Sequence, residues 1–145
     1  MHSASAVRNG KAFLFAGVSG AGKTTISRLA PSDAIVLTDE ISYVRRHGDG
    51  YCAYGTPFAG ELARPGENTK APLAAVYLLA QGEENRIDDV DLAAATRAML
   101  ANILFFAQDP ALVQAIFQAT MDFVERVPVR KLTFCPDVRV WDLIQ

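Results

Sequence analysis

Residues 17–24 read Gly17-Val18-Ser19-Gly20-Ala21-Gly22-Lys23-Thr24, the spacing G-x-x-x-x-G-K-T. The apolar run Ala12-Phe13-Leu14-Phe15-Ala16 leads into them and predicts a buried strand, and Thr24-Thr25-Ile26-Ser27-Arg28-Leu29-Ala30 leads out and predicts a helix. Strand, glycine loop and helix in this order make an anion cradle. The glycines let backbone N–H groups turn inward, and the helix start adds its positive end. The residues expected around a phosphate are Gly17, Ser19, Gly20, Ala21, Gly22, Lys23, Thr24 and Thr25. Lys23 would reach the β- and γ-phosphates of a nucleotide, and the Thr24 hydroxyl would ligate Mg²⁺. A simple glycine turn needs neither the lysine nor the full spacing. The motif names a ligand class and leaves the reaction open.

The length of 145 residues suits a single domain, 1–145, large enough to bury about two-thirds of its unfolded surface. Half of the residues are hydrophobic and 21% are charged, a globular composition. With 14 basic and 16 acidic residues scattered along the chain, a net charge of −2 gives no broad surface for nucleic acid, so none is expected as a partner. Cys52 and Cys135 lie far apart and form no metal-binding spacing, so reduced thiols are expected. Residues 1–8 lack the apolar core of a signal peptide. The runs from Pro72 to Ala80 and from Ile103 to Ala107 fall short of the roughly 20 residues a bilayer requires, so no membrane partner and a cytoplasmic location are expected.

Along the chain, residues 1–10 read as short and polar, with Asn9-Gly10 as a turn. The first helix stops before Pro31-Ser32-Asp33. Ala34-Ile35-Val36-Leu37-Thr38 shows no alternation and predicts a fully buried parallel strand ending in Asp39-Glu40. Ile41 to Arg46 and Tyr51 to Tyr54 predict a hairpin about His47-Gly48-Asp49-Gly50. A long loop follows from Gly55 through Arg64 to Lys70, of the kind that is functional or disordered. Pro72 to Leu79 predicts another buried strand, with Glu83-Glu84-Asn85 as a surface turn. Asp91 caps a helix whose apolar series is Leu92, Ala95, Met99, Ile103 and Phe106. Asp109-Pro110 opens a second, through Leu112, Ile116, Phe117, Met121 and Val124, and both stripes read as core. Pro128 ends it, Val129 to Cys135 predicts a last strand, and Asp137 to Ile144 a short closing helix.

Phosphoryl transfer needs charge neutralisation, in-line positioning and a group to take the acceptor's proton. Asp39 and Glu40 stand where α/β sheets hold ligands, at the carboxyl end of a strand. One could hold Mg²⁺ opposite Thr24 while the other takes the proton; a solvated pair ending a strand is the plainer reading. Arg45 and Arg46 fit a solvated hairpin better than a phosphate site. Arg64 and Lys70 lie in the long loop, where a cation could close over the transferred group.

Together with the 17–24 loop, the segments Leu37-Thr38-Asp39-Glu40, Tyr54-Gly55-Thr56-Pro57-Phe58-Ala59-Gly60-Glu61 and Ala71-Pro72-Leu73 resemble the HPr kinase-like family over nearly the whole chain. The Gly-Thr-Pro-Phe segment separates that group from ordinary P-loop kinases. The resemblance implies an α/β fold of phosphoenolpyruvate carboxykinase-like type, a P-loop-containing mixed sheet with flanking helices. It also implies ATP and Mg²⁺ as cofactors. Asp39 would be the general base, and Glu40 would join Thr24 at the metal. The family's histidine before the loop strand corresponds to His2, in His2-Ser3-Ala4-Ser5-Ala6-Val7, with Ser3 in place of a glycine; His2 would orient or share a proton with Asp39. The catalytic set implied is thus Asp39, Lys23 and His2.

The family's separate N-terminal domain and its glycine- and arginine-rich signature find no match, so the phosphorylase activity and HPr itself are not implied. Shorter relatives accompany peptide-modifying gene clusters, and some phosphorylate a serine of a lasso peptide. The resemblance therefore points to a serine-type hydroxyl of a peptide or small protein as acceptor. Relatives carry further strands before the histidine; a chain starting near it would be a minimal form, a shortened one, or one that pairs with another copy into a homo-oligomer. Two rival readings are a nucleotide-binding regulatory or scaffold module with weak or lost catalysis, and a small-molecule P-loop kinase. The donor, whether ATP, GTP or pyrophosphate, is not told apart by any base-reading motif.

Overall fold

Asn9 and Gly10 both adopt positive φ, 51° and 74°, the mirror-image turn whose twist suits a two-residue hairpin. They join β1 (Ser3–Arg8) to β2 (Lys11–Ala16), antiparallel from Ser3↔Ala16 to Arg8↔Lys11. The turn was legible, but the segment before it is a buried strand rather than a short polar stretch. Ser3 and Ser5 alternate with alanines and are small enough to be enclosed between neighbouring strands.

The computed structural model describes residues 1–106 and 108–145 and shows an eight-stranded mixed sheet with flanking helices. Its main path runs β3 (Ile35–Thr38), β1, β2, β6 (Lys70–Gln81), β5 (Gly50–Tyr54) and β4 (Tyr43–His47). β6 is the spine: it pairs antiparallel with β5 at its start and parallel with β2 and β8 (Val129–Phe134) beyond it. β4 completes the expected hairpin with β5. An unforeseen strand, β7 (Arg86–Asp89), follows the turn at 83–85 and pairs antiparallel with β8, its charged residues suiting an outer strand.

β3 corrects an expectation. It runs antiparallel to β1 at one end of the sheet, and only Leu37 and Thr38 are buried. Its apolar run is covered by the long loop: Thr56 N–H donates to Leu37 O at 3.1 Å, and Glu67 N–H to Val36 O at 3.2 Å. Because β2 and β3 are both antiparallel to β1, they share the direction of β6 and β8. The carboxyl ends of β2, β3, β6 and β8 therefore gather at one edge.

Alternation along β2 divides the core. Phe13 and Phe15 pack with Ile26 of α1 (Lys23–Arg28) and with Trp141 of a closing 3₁₀ turn (Val138–Leu143). Ala12, Leu14 and Ala16 face α2 (Leu92–Asn102) and α3 (Pro110–Arg126). Asp91 and Asp109 cap these two helices, accepting from Ala94 N–H and Ala111 N–H at 2.8 Å each. The expected stripes are core over only part of their length. α2 stops at Asn102, Phe106 is 90% exposed, and Leu112 and Phe117 are half-exposed, because only the Thr120–Val124 end of α3 rests on the sheet. Ala107, the last residue of the run read from Ile103, lies outside the described residues. Cys52 is buried and Cys135 half-buried, both as free thiols. No helix among the described residues is long and apolar enough to cross a membrane.

Candidate functional site

At the carboxyl end of β2 the chain turns through residues 17–22 into α1. Gly20 and Gly22 take positive φ, 80° and 109°, which a side chain would strain. Gly22 has a second constraint, since a Cβ there would stand 2.7 Å from Cζ of Phe134, at the end of β8. Gln81, at the end of β6, holds the loop from its other side by donating Nε2–H to Gly20 O at 2.8 Å. α1 begins with no side-chain cap, so its first amides face the loop.

Lys23 is folded inward. Its Nζ donates to Gly17 O at 3.0 Å and Val18 O at 3.3 Å, and the residue is only 8% exposed. Burial lowers its pKa below the usual lysine value, while the negative charge of Glu40 acts in the opposite direction.

The facing wall starts where β3 ends. The Thr38 hydroxyl accepts from Glu40 N–H and Ile41 N–H and donates to Phe58 O, bending the chain so that Asp39 and Glu40 turn toward the loop. Asp39 is 3% exposed and accepts from Gly60 N–H and Leu62 N–H, both at 2.8 Å. Glu40 is half-exposed, with His2 Nε2 3.8 Å from its Oε1. His2 is not a frayed end: its N–H donates to Asn102 O at 2.8 Å, and it bridges Ile41.

Between loop and wall lies a cleft of about 370 Å³. Ser19, Gly20, Gly22, Lys23, Thr24 and Thr25 form one side, and His2, Asp39, Glu40 and Glu61 the other. Of the residues singled out from the sequence, Ala21 instead packs into the core, and Gly17 contributes the carbonyl that holds Lys23. Arg45 and Arg46 stay on the β4–β5 hairpin, Arg46 standing 3.6 Å from Asp122. Lys70 begins β6 with its Nζ 5.7 Å from the Tyr54 ring centroid, and so does not close over the cleft. Arg64 lines a larger cavity, about 680 Å³, against Ser32, Ile35 and Glu67. That space is lined by neither the glycine loop nor the acidic pair, which face each other across the smaller cleft. Glu61 also lines the cleft; in the sequence it stood only as the last residue of the segment Tyr54-Gly55-Thr56-Pro57-Phe58-Ala59-Gly60-Glu61, with no role given to it.

A family model described as SynChlorMet cassette protein ScmC matches residues 1–145. The chain belongs to the ScmC family. No curated protein matches it in sequence. Among solved structures, the Hpr(Ser) kinase/phosphatase from Coxiella burnetii is similar over 92% of this chain and 83% of that one, with 9% identity and a TM-score of 0.48. A likeness of that size touches the fold alone. What this member of the ScmC family does has to be argued from its own cleft.

Proposed function

We propose that this protein is an ATP- and Mg²⁺-dependent kinase that phosphorylates a serine-type hydroxyl of a peptide or small protein. The observation that carries the reading is the cleft itself. Three segments distant in sequence bring together a glycine loop with Lys23, two threonine hydroxyls, and carboxylates on the opposite wall. Loop amides and Lys23 would meet the phosphates, in a site where charge neutralisation does most of the work.

The donor set also fits Mg²⁺. Thr24 and Glu40 offer hard oxygen ligands on opposite sides of one cleft, and this ion is commonly held by one or two protein groups plus substrate phosphates. When bound, the ion would neutralise charge on the β- and γ-phosphates. The chain's own groups do the rest. Lys23 leaves its two carbonyl partners to follow the phosphates, and a cleft carboxylate takes the proton of the incoming hydroxyl. The family resemblance alone names Asp39 for that step, and His2 stands beside Glu40 as an orienting partner. The family's description as a cassette protein is consistent with an acceptor made by a neighbour in the same cassette.

The test is transfer from γ-labelled ATP into lysate polypeptides, with and without Mg²⁺. Label in a peptide or protein band, lost in Lys23→Ala together with nucleotide binding, is the expected result. A labelled small metabolite would replace the peptide acceptor with a small molecule. Nucleotide binding without transfer would leave a binding module in place of a kinase.

A further inference from the structure

Both oxygens of Asp39 are already engaged. Oδ1 accepts from Gly60 N–H and Oδ2 from Leu62 N–H, each at 2.8 Å, and the residue is nearly closed to solvent. These two amides lie on either side of Glu61. A Cβ at position 60 would come within 2.9 Å of Asp39 Oδ2 and 2.7 Å of Glu40 Oε2; the flexible Glu40 could move aside, but Asp39 would have to shift within its clamp. Backbone is thus gripped before and after Glu61, and the side chain between is left to project. Glu61 is 75% exposed at its side chain and lines the same cleft as Lys23, Thr24 and Glu40. Its ionic contact, Arg28 Nη2 at 4.0 Å, is an exposed pair that is easily exchanged for another partner.

We propose that Glu61 is the carboxylate that meets the acceptor hydroxyl, and that Asp39 positions it by clamping the amides of Gly60 and Leu62. This rests on the kinase reading and names the base within it. A general base must come within about 3 Å of the proton it takes, through an oxygen that can turn toward the incoming group. The exposed rim carboxylate has that freedom, whereas each oxygen of the buried one already accepts an amide N–H that fixes its direction. In the step, the hydroxyl proton passes to a Glu61 oxygen and the hydroxyl oxygen bonds to the γ-phosphorus. The bond from that phosphorus to the β-phosphate oxygen breaks, and its electron pair leaves on the nucleoside diphosphate. Lys23 and Arg28 on α1, Asp39 and Glu40 after β3, and His2 before β1 are the charged or titratable groups around this cleft.

The experiment compares the unaltered chain, Glu61→Gln and Asp39→Asn, with water as the probe acceptor. It records MgATP binding, release of labelled phosphate across pH, and exchange protection of the Gly60 and Leu62 amides. Glu61→Gln should bind MgATP within about threefold and keep both amides protected. It should lose about a hundredfold in turnover, together with the acid limb of the pH profile. Asp39→Asn presents an amide donor to one of the two N–H groups. It should lose protection at residues 60 and 62 while its residual turnover keeps the acid limb. Normal turnover in Glu61→Gln overturns the assignment, as does loss of turnover in Asp39→Asn with both amides still protected, which would make Asp39 the base. An unaltered chain that fails to bind MgATP or to release phosphate overturns the kinase reading and the assignment with it, a result read before any variant.

Discussion

The ring of Phe134 occupies the place that a Cβ on residue 22 would take, its Cζ 2.7 Å from that point. Gly22 also holds a φ of 109°, so two independent causes demand glycine there. Gly22→Ala should therefore cost about 3 kcal/mol, strain and steric overlap together, and abolish nucleotide binding. Gly20, at φ 80° with nothing within 4 Å of its would-be Cβ, supplies the control. Its alanine variant should lose only about 1 kcal/mol in a denaturant titration. Equal losses at the two positions would show that Phe134 gives way.

Lys23 carries the pH dependence. Burial holds its pKa below the ordinary 10.5, and a bound polyphosphate would favour the charged form. The proton is then held more tightly in the complex than in the free protein. Affinity for MgATP should be full at neutral pH and fall once pH passes the free protein's lysine pKa, by up to about tenfold per unit. Lys23→Arg keeps its charge throughout and should bind more weakly but without that alkaline fall. Identical slopes from pH 7 to 10 in a calorimetric series would exclude Lys23 as the titrating group.

His2 stands 3.8 Å from Glu40, beyond hydrogen-bond reach, and its backbone is fixed whatever its side chain. His2→Ala should leave thermal stability within about 0.5 kcal/mol of the unaltered chain. Phosphoryl transfer should fall by less than about tenfold, as for a group that orients rather than transfers. A hundredfold loss would instead give His2 a direct part in proton movement.

Trp141, the chain's one tryptophan, donates Nε1–H to Ile26 O at 3.1 Å and packs edge-on to Phe15, with ring centroids 5.5 Å apart. Trp141→Phe leaves a buried carbonyl unpaired at the back of α1 and should cost about 2 kcal/mol, read as a shifted urea midpoint by circular dichroism. A shift below about 0.5 kcal/mol would mean that water replaces the indole.

The parts legible in the sequence are those whose cause is local. Residues 17–24 carry their own turn chemistry, Asp91 its own cap, Asp109-Pro110 its own helix start and Asn9-Gly10 its own turn, and each stands where it was read. The errors came from partners far along the chain. The apolar run before Asp39 looked like an interior strand because nothing within it tells that the segment from Thr56 to Glu67 covers its edge. Residues 1–10 read as a short polar segment, though Ser3 and Ser5 are small enough to fit between β1's neighbours. Glu61 could be noticed only once the amides on either side of it were seen bound to Asp39, some twenty residues earlier. The described structure places Asp39, Glu40, His2, Lys23 and Thr24 around one cleft, and their chemical roles await the measurements above.

One strand, β1, lies between the strand that ends in the glycine loop and the strand that ends in Asp39 and Glu40. The span from cradle to acidic wall is therefore two inter-strand spacings, about 10 Å. It is set by backbone pairing, and no side-chain replacement can widen or narrow it by more than a small adjustment. The strand count thus sets the distance between the two walls, and the side chains of His2, Glu40 and Glu61 set the room left between them.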